Sequence, residues 1–310
     1  MVAPQRWHLP INYGASPPDQ STIGRMMTGY TSLSLRRSFT IILTAMVLLA
    51  LTQGCTTNLK AIQDFGNLSA ESARYTTLVD EYLEFPNRQK RYQPHSRHAN
   101  LDVMAQDRAT QKTALLLRQF IIETYMKSLG RLAADEVVDN TEELAQLSAA
   151  LESQAATNPQ EAEAYKKIAG IVTTVAVKRW RQDQLQNLIE QGNPPIQQIL
   201  ESLRHIVSDG FGGDQQTEEA AIQNYYMTLT MESQDPAGKA ALAEWKEFRM
   251  SQVDERSEAV KIYRKVLDNI SDGHQRLFDQ RQNLTKKEVL QQVGNSVKDL
   301  RTLLKTIKNL

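Results

Sequence analysis

The chain has 310 residues, with 36 basic and 36 acidic side chains, five histidines and one cysteine. A formal charge of zero excludes the strongly basic balance of a nucleic-acid-binding domain, and a lone cysteine excludes a disulfide framework. Aromatic residues at 6%, scarce Gly and Pro, and abundant Ala, Gln, Glu, Lys and Leu favour helix.

Met1–Arg25 holds Pro4, Pro10, Pro17 and Pro18 and no periodic apolar pattern. Residues 1–34 therefore read as a non-structural extension, with Met26 or Met27 the expected start. Arg36 and Arg37 then precede an apolar run from Phe39 to Leu51, broken only by Thr40 and Thr44, and Leu-Thr-Gln-Gly-Cys ends the segment at Cys55. A basic start, a short apolar middle and a small residue before the cut are the parts of an export signal. As a helix the run rises about 20 Å, short of the roughly 30 Å hydrocarbon core of a bilayer.

At these residues the chain resembles the precursors of bacterial lipoproteins. Gly54 and Cys55 match that class, while Thr52 and Gln53 depart from its usual leucine and small residue. The resemblance implies cleavage before Cys55, a diacylglycerol thioether on its sulfur, and usually an N-acyl chain. It divides the chain into an extension (1–34), a signal peptide (35–54) and a lipid-anchored domain (55–310). Thr56 stands where aspartate retains Gram-negative lipoproteins at the inner membrane, which implies the outer membrane. Lipidation also explains an unpaired cysteine in an exported protein, and two or more acyl chains anchor stably where one binds reversibly. Without residues 1–54, which hold Arg6, Arg25, Arg36, Arg37 and Asp19, there remain 32 basic and 35 acidic side chains, a formal charge of −3.

In the domain itself, Leu59 to Tyr82 keeps steps of three and four, with a gap at Ser72, and predicts one helix that Pro86 stops. Pro86–His98 reads as a loop gathering Arg88, Lys90, Arg91 and Arg97 around Tyr92, His95 and His98. A solvated loop, anionic-lipid contact and a His95–His98 metal pair compete here, and no third ligand lies nearby. Leu101–Ala133 predicts a second helix whose Ala114–Ile122 segment is apolar on most sides and so central. Asp135, Glu136, Asp139, Glu142 and Glu143 form an acidic cluster that suits a helix start, with Asn140 or Thr141 as cap, against a cation- or partner-binding reading.

Thr141–Ala156 predicts a short helix, and Thr157-Asn158-Pro159 a restart running to about Gln191. Tyr165, Ile168, Val172, Val175, Leu185, Leu188 and Ile189 mark its seam. Ile168–Val177, followed by Lys178-Arg179-Trp180-Arg181, reads as core helix or as a membrane-inserting foot; it is too short to span. Asn193-Pro194-Pro195 opens a further helix, and Gly210-Phe211-Gly212-Gly213 stops it. Asp214–Ser233 resumes with Ile222, Tyr225, Tyr226 and Leu229. Asp235-Pro236 starts the longest segment, with Leu242, Trp245, Phe248, Val253, Val260 and Tyr263 on its seam and a division at Ser271-Asp272-Gly273. Thr285-Lys286-Lys287-Glu288 has the form of a capping box. Val289, Val293, Val297, Leu300, Leu304 and Ile307 follow as a clean stripe opposite Lys298, Arg301, Lys305 and Lys308.

No di-iron, zinc-protease, nucleophile-elbow, P-loop or dinucleotide motif is present. Glu201, His205 and Asp209 share a helix face, an arrangement that orients a general base only beside a nucleophile or metal. The sequence therefore predicts an all-α, elongated antiparallel bundle of about seven helices, coiled-coil-like in pattern, with Cys55 as its modified residue and no cofactor or metal. Its expected partners are a membrane, through the anchor, and a protein or cell-envelope polymer, not nucleic acid. A non-catalytic envelope lipoprotein is the leading function, a membrane-active protein using Ile168–Trp180 the second, an enzyme the third.

Overall fold

A computed structural model describes residues 59–136, 142, 145–146, 159–177 and 181–309. Its helices are α1 (Lys60–Ala73), α2 (Thr76–Gln89), α3 (His98–Ala133), α4 (Pro159–Val177), α5 (Arg181–His205), α6 (Gly212–Glu232), α7 (Pro236–Asp279) and α8 (Lys287–Lys308). Single 3₁₀ turns cover His95–Arg97 and Arg281–Asn283, and no strand occurs among the described residues. The all-α helical bundle is thus as the periodicity predicts. The short helix expected over Thr141–Ala156 lies almost wholly outside the described residues.

Helix pairs run mostly antiparallel. Gly66 of α1 meets the backbone of Gly130 on α3, where a Cβ would overlap, while the Tyr75 carbonyl after α1 accepts from Gln119 of α3 at 3.2 Å. Gly273 of α7 packs on the Phe65 ring, and Tyr263 Oη donates to the Ala73 carbonyl at 2.6 Å. Glu161 at the start of α4 accepts from Ser202 near the end of α5 at 2.9 Å, so these two fold back on each other. The helix expected to run from Pro159 to Gln191 is therefore a hairpin instead, with residues 178–180 outside the described set. One apolar core joins Ile62, Phe65, Ile121, Ile168, Leu188 and Tyr263, and a second small cluster of Ile222, Tyr226 and Val253 holds the α6–α7 pair.

Five expected breaks are differently placed, and tertiary contacts explain most of them. The first helix divides at Arg74–Tyr75 and then continues through Pro86 to Gln89. The carbonyls of Ala73 and Tyr75, freed at the break, are taken by Tyr263 and Gln119. Consequently the expected loop loses Pro86–Gln89 to α2, and His98 begins α3. α5 likewise continues through Gly192, Pro194 and Pro195, because Gly192 seats the Tyr125 ring and Asn193 is buried in bonds to α7. The carbonyls that the two prolines free belong to the exposed Glu190 and Gln191, where water can take them. Gly210–Gly213 does not stop the chain: a π-helical stretch, Ile206–Phe211, leads straight into α6 and buries Phe211 against Tyr82, ring centroids 4.8 Å apart. α7 passes Gly273 undivided. At α8 the residue before the helix is Lys286 and no side chain caps it, so the capping box does not form.

α7 starts at Asp235-Pro236 as read: Asp235 caps it, accepting from Ala237 N at 3.2 Å and Gly238 N at 2.8 Å, with Pro236 at the first helical position. The α8 stripe also holds: Val289, Val293, Val297 and Leu300 are buried, Leu304 and Ile307 half-buried, and Lys298, Arg301, Lys305 and Lys308 exposed.

Candidate functional site

Cys55 lies outside the described residues, and α1 begins five positions after it. Of the basic loop, Arg88 is turned inward, Lys90 pairs with Asp102, and only Arg91 and Arg97 are exposed. His98 Nε2 lies 3.1 Å from the Lys90 carbonyl and 3.2 Å from that of Gln93, so its hydrogen is spent on backbone while the His95 ring stacks edge-on at 4.8 Å. No group of three or more His, Cys, Asp or Glu side chains able to hold a metal occurs among the described residues. Glu201, His205 and Asp209 are brought together at 3.4 and 3.3 Å, but on open surface, where Arg204 also bonds Glu201. Of the expected membrane foot, Ile168–Trp180, Ile168 and Val172 are buried in the main core; Trp180 lies outside the described residues. No helix among the described residues is long and apolar enough to cross a membrane.

The polar groups that sequence reasoning missed lie far apart in the chain. Arg108 of α3 makes two bonds to Asp214 of α6, Nη1–Oδ2 at 2.6 Å and Nη2–Oδ1 at 2.7 Å, and its guanidinium lies 4.1 Å over Tyr82 and 4.7 Å over Phe85. Beside it, Glu218 of α6 pairs with Arg88 at 3.2 Å and with Arg256 of α7 at 2.9 Å, and Glu81 of α2 pairs with Arg88 at 2.8 Å. Three guanidiniums and three carboxylates thus balance in one cluster, buried at Arg108, Asp214 and Glu218 and half-buried at Glu81, Arg88 and Arg256, that ties α2, α3, α6 and α7. Burial raises the Asp214 carboxyl above the usual carboxylate range, while the Arg108 bonds pull it the other way. In such a cluster removing one partner is costly, because the remaining charge is left in low dielectric. Its chemistry is that of a fastener.

A second buried node joins α3, α5 and α7. Asn193 Nδ2 donates to Gln275 Oε1 at 3.0 Å, which turns its Oδ1 toward His274 Nδ1, 2.9 Å away. That assigns the ring hydrogen to Nδ1 and leaves Nε2 an acceptor 2.7 Å from the Tyr125 hydroxyl, which shares its hydrogen with the Leu188 carbonyl at 3.1 Å. Burial depresses the His274 pKa to about 3 and pushes the Tyr125 phenol up, so both stay neutral. His274 is fully buried, and surface clefts of about 440 and 430 Å³ elsewhere are lined by other residues.

The third feature is apolar and exposed. Trp245 is 60% exposed, Phe248 57% and Met231 72%, with Tyr225, Met227, Val103 and Met104 also open to solvent. All seven belong to the first turns of α3 or to the α6–α7 hairpin. The predicted α7 seam is therefore corrected at Trp245 and Phe248, which face away from the Leu242, Met250 and Val253 stripe that packs on α6. Spacing alone held the signal: this helix carries two apolar stripes offset by about a third of a turn. No protein-family model, curated protein or solved structure matches the chain.

Proposed function

We propose that this chain is an exported, lipid-anchored helical protein of the cell envelope, which binds another macromolecule and performs no chemistry of its own. The observation that carries the reading is Cys55, the lone cysteine, at the end of a basic-then-apolar segment and five residues before α1. With so short a connection, the lipid would hold the Lys60 end of the bundle close to the bilayer. The outer membrane follows from Thr56 by the same resemblance. A binding role is supported by where the polar groups are spent: Arg108, Asp214, Glu218, His274 and Tyr125 fasten helices to one another. Meanwhile large apolar side chains stand exposed on α3, α6 and α7. Burial of Ile168 and Val172 favours this reading over a membrane-inserting one.

Labelling cells with a fatty-acid analogue tests the anchor. The full chain is expected to take up label and to fractionate with membranes. Cys55→Ser is expected to lose the label and either leave the membrane or remain there uncut. An unlabelled wild-type protein would refute the anchor.

A further inference from the structure

We propose that α7 carries a parallel homodimer seam, in which a second copy of this chain packs Ala241, Trp245, Phe248 and Gln252 against its own. At about 100° per residue these four positions fall within about 60° of one another, spaced 4, 3 and 4 as in a two-stranded coiled coil. Two of them are aromatic and more than half exposed (Trp245 60%, Phe248 57%), while the small Ala241 and the polar Gln252 close the two ends. The stripe lies about a third of a turn from Leu242, Met250 and Val253, which make the contact with α6. It ends where the body of the bundle begins, at buried Ala259 and Val260.

Charge identifies the occupant. Glu244 and Arg249 flank the stripe on opposite sides, five residues apart. That is the separation at which one strand's charge meets the other's across a parallel two-stranded seam. A second copy therefore supplies Arg249 to Glu244 and Glu244 to Arg249, twice over by the two-fold axis. Within the chain neither forms an ion pair among the described residues: Arg249 bonds only Gln252, at 3.0 Å, and lies 5.5 Å over Phe248. An antiparallel pairing instead sets Glu244 beside its own copy, a like-charge contact.

Direction has a second support, which rests on the lipid-anchor reading. Gly273 is level with Phe65 of α1, and Trp245 lies 28 residues earlier on α7, about 42 Å from that level. Parallel copies place both α1 starts at one end, where two anchors enter one bilayer. Antiparallel copies separate them by on the order of 90 Å along the axis.

The test is disulfide trapping on the full chain in cells that produce it. Ala241→Cys and Gln252→Cys are made separately, each with Cys55 intact and again with Cys55→Ser, so that no band arises through Cys55. Each variant alone is expected to give a cross-linked dimer on oxidation. A band that forms only when Ala241→Cys and Gln252→Cys are co-produced means antiparallel pairing and overturns the proposal, as does no band at all. Glu244→Arg and Arg249→Glu, each added singly, are expected to lower the cross-linked fraction about tenfold, and the double reversal to restore it; a double reversal no better than the singles also overturns it. Thermal midpoints of the same chains report that they remain folded. Fatty-acid label is read in parallel on the chains that keep Cys55. A cross-link without label sinks the anchor alone, and label without a cross-link sinks the seam alone.

Discussion

Arg108 donates to the carbonyl of Tyr82 at 2.7 Å, and that carbonyl is the one Pro86 leaves without a helical N–H partner. A proline inside a helix removes one ladder bond and costs about 3 kcal/mol in an isolated helix. Here a side chain from α3 fills the gap, while its other nitrogen and the same Nη1 hold Asp214. One guanidinium therefore keeps α2 continuous and fixes α6 to α3.

Removing it is expected to leave two buried groups unsatisfied. Arg108→Met should destabilise by about 3–5 kcal/mol, the range for breaking one side of a buried pair. Asp214→Leu should cost a similar amount, and the double variant less than the sum, since no lone charge remains. Urea titrations of the three variants measure the coupling; additive losses would mean the two residues act independently.

His274 predicts an acid-sensitive bundle. Its folded pKa of about 3 is below the unfolded value of about 6.5, so the unfolded chain binds more protons between those limits. Stability from this group is thus complete above about pH 6.5 and falls as pH drops toward 3. From pH 7 to pH 5 the loss is about 2 kcal/mol. Urea midpoints of wild type and His274→Gln at both pH values check it: the variant should show a pH dependence smaller by about that amount.

The glycines of α1 and α4 are expected to respond oppositely to alanine. A Cβ on Gly66 would overlap the Gly130 backbone, so Gly66→Ala should cost about 1–3 kcal/mol by forcing α1 off α3. Gly170 has open space around its Cβ direction on a helix, so Gly170→Ala should stabilise by about 0.5–1 kcal/mol. Thermal denaturation followed by circular dichroism distinguishes the signs.

On α8 the two faces separate. Val297→Asp and Leu300→Asp bury an unpaired carboxylate and should unfold the C-terminal part. Changing the exposed Lys298, Arg301, Lys305 and Lys308 to Gln should shift stability by less than about 1 kcal/mol, although Lys308 pairs with Glu71 at 2.7 Å. Sedimentation with anionic vesicles at low and high salt then asks whether this face meets an anionic surface. Equal binding by the Gln variant would reduce it to solvation.

What the sequence determined by itself is whatever rests on local periodicity and local chemistry. Steps of three and four declared the helices, and Asp235-Pro236 declared the start of α7, because a cap acts within one turn. The buried stripe of α8 was legible for the same reason. Tertiary structure decided where helices do not end. Pro86, Gly192-Asn193-Pro194-Pro195 and Gly210–Gly213 are strong local breakers, yet all lie within helix. Arg108, Asn193 and Phe211 supply contacts from or to distant segments that outweigh the local cost at these sites. Tertiary structure also decided which of two apolar stripes on α7 is core. Trp245 is as apolar as Leu242, and only the presence of Ile222 and Tyr226 on one side of the helix makes one stripe buried and the other surface.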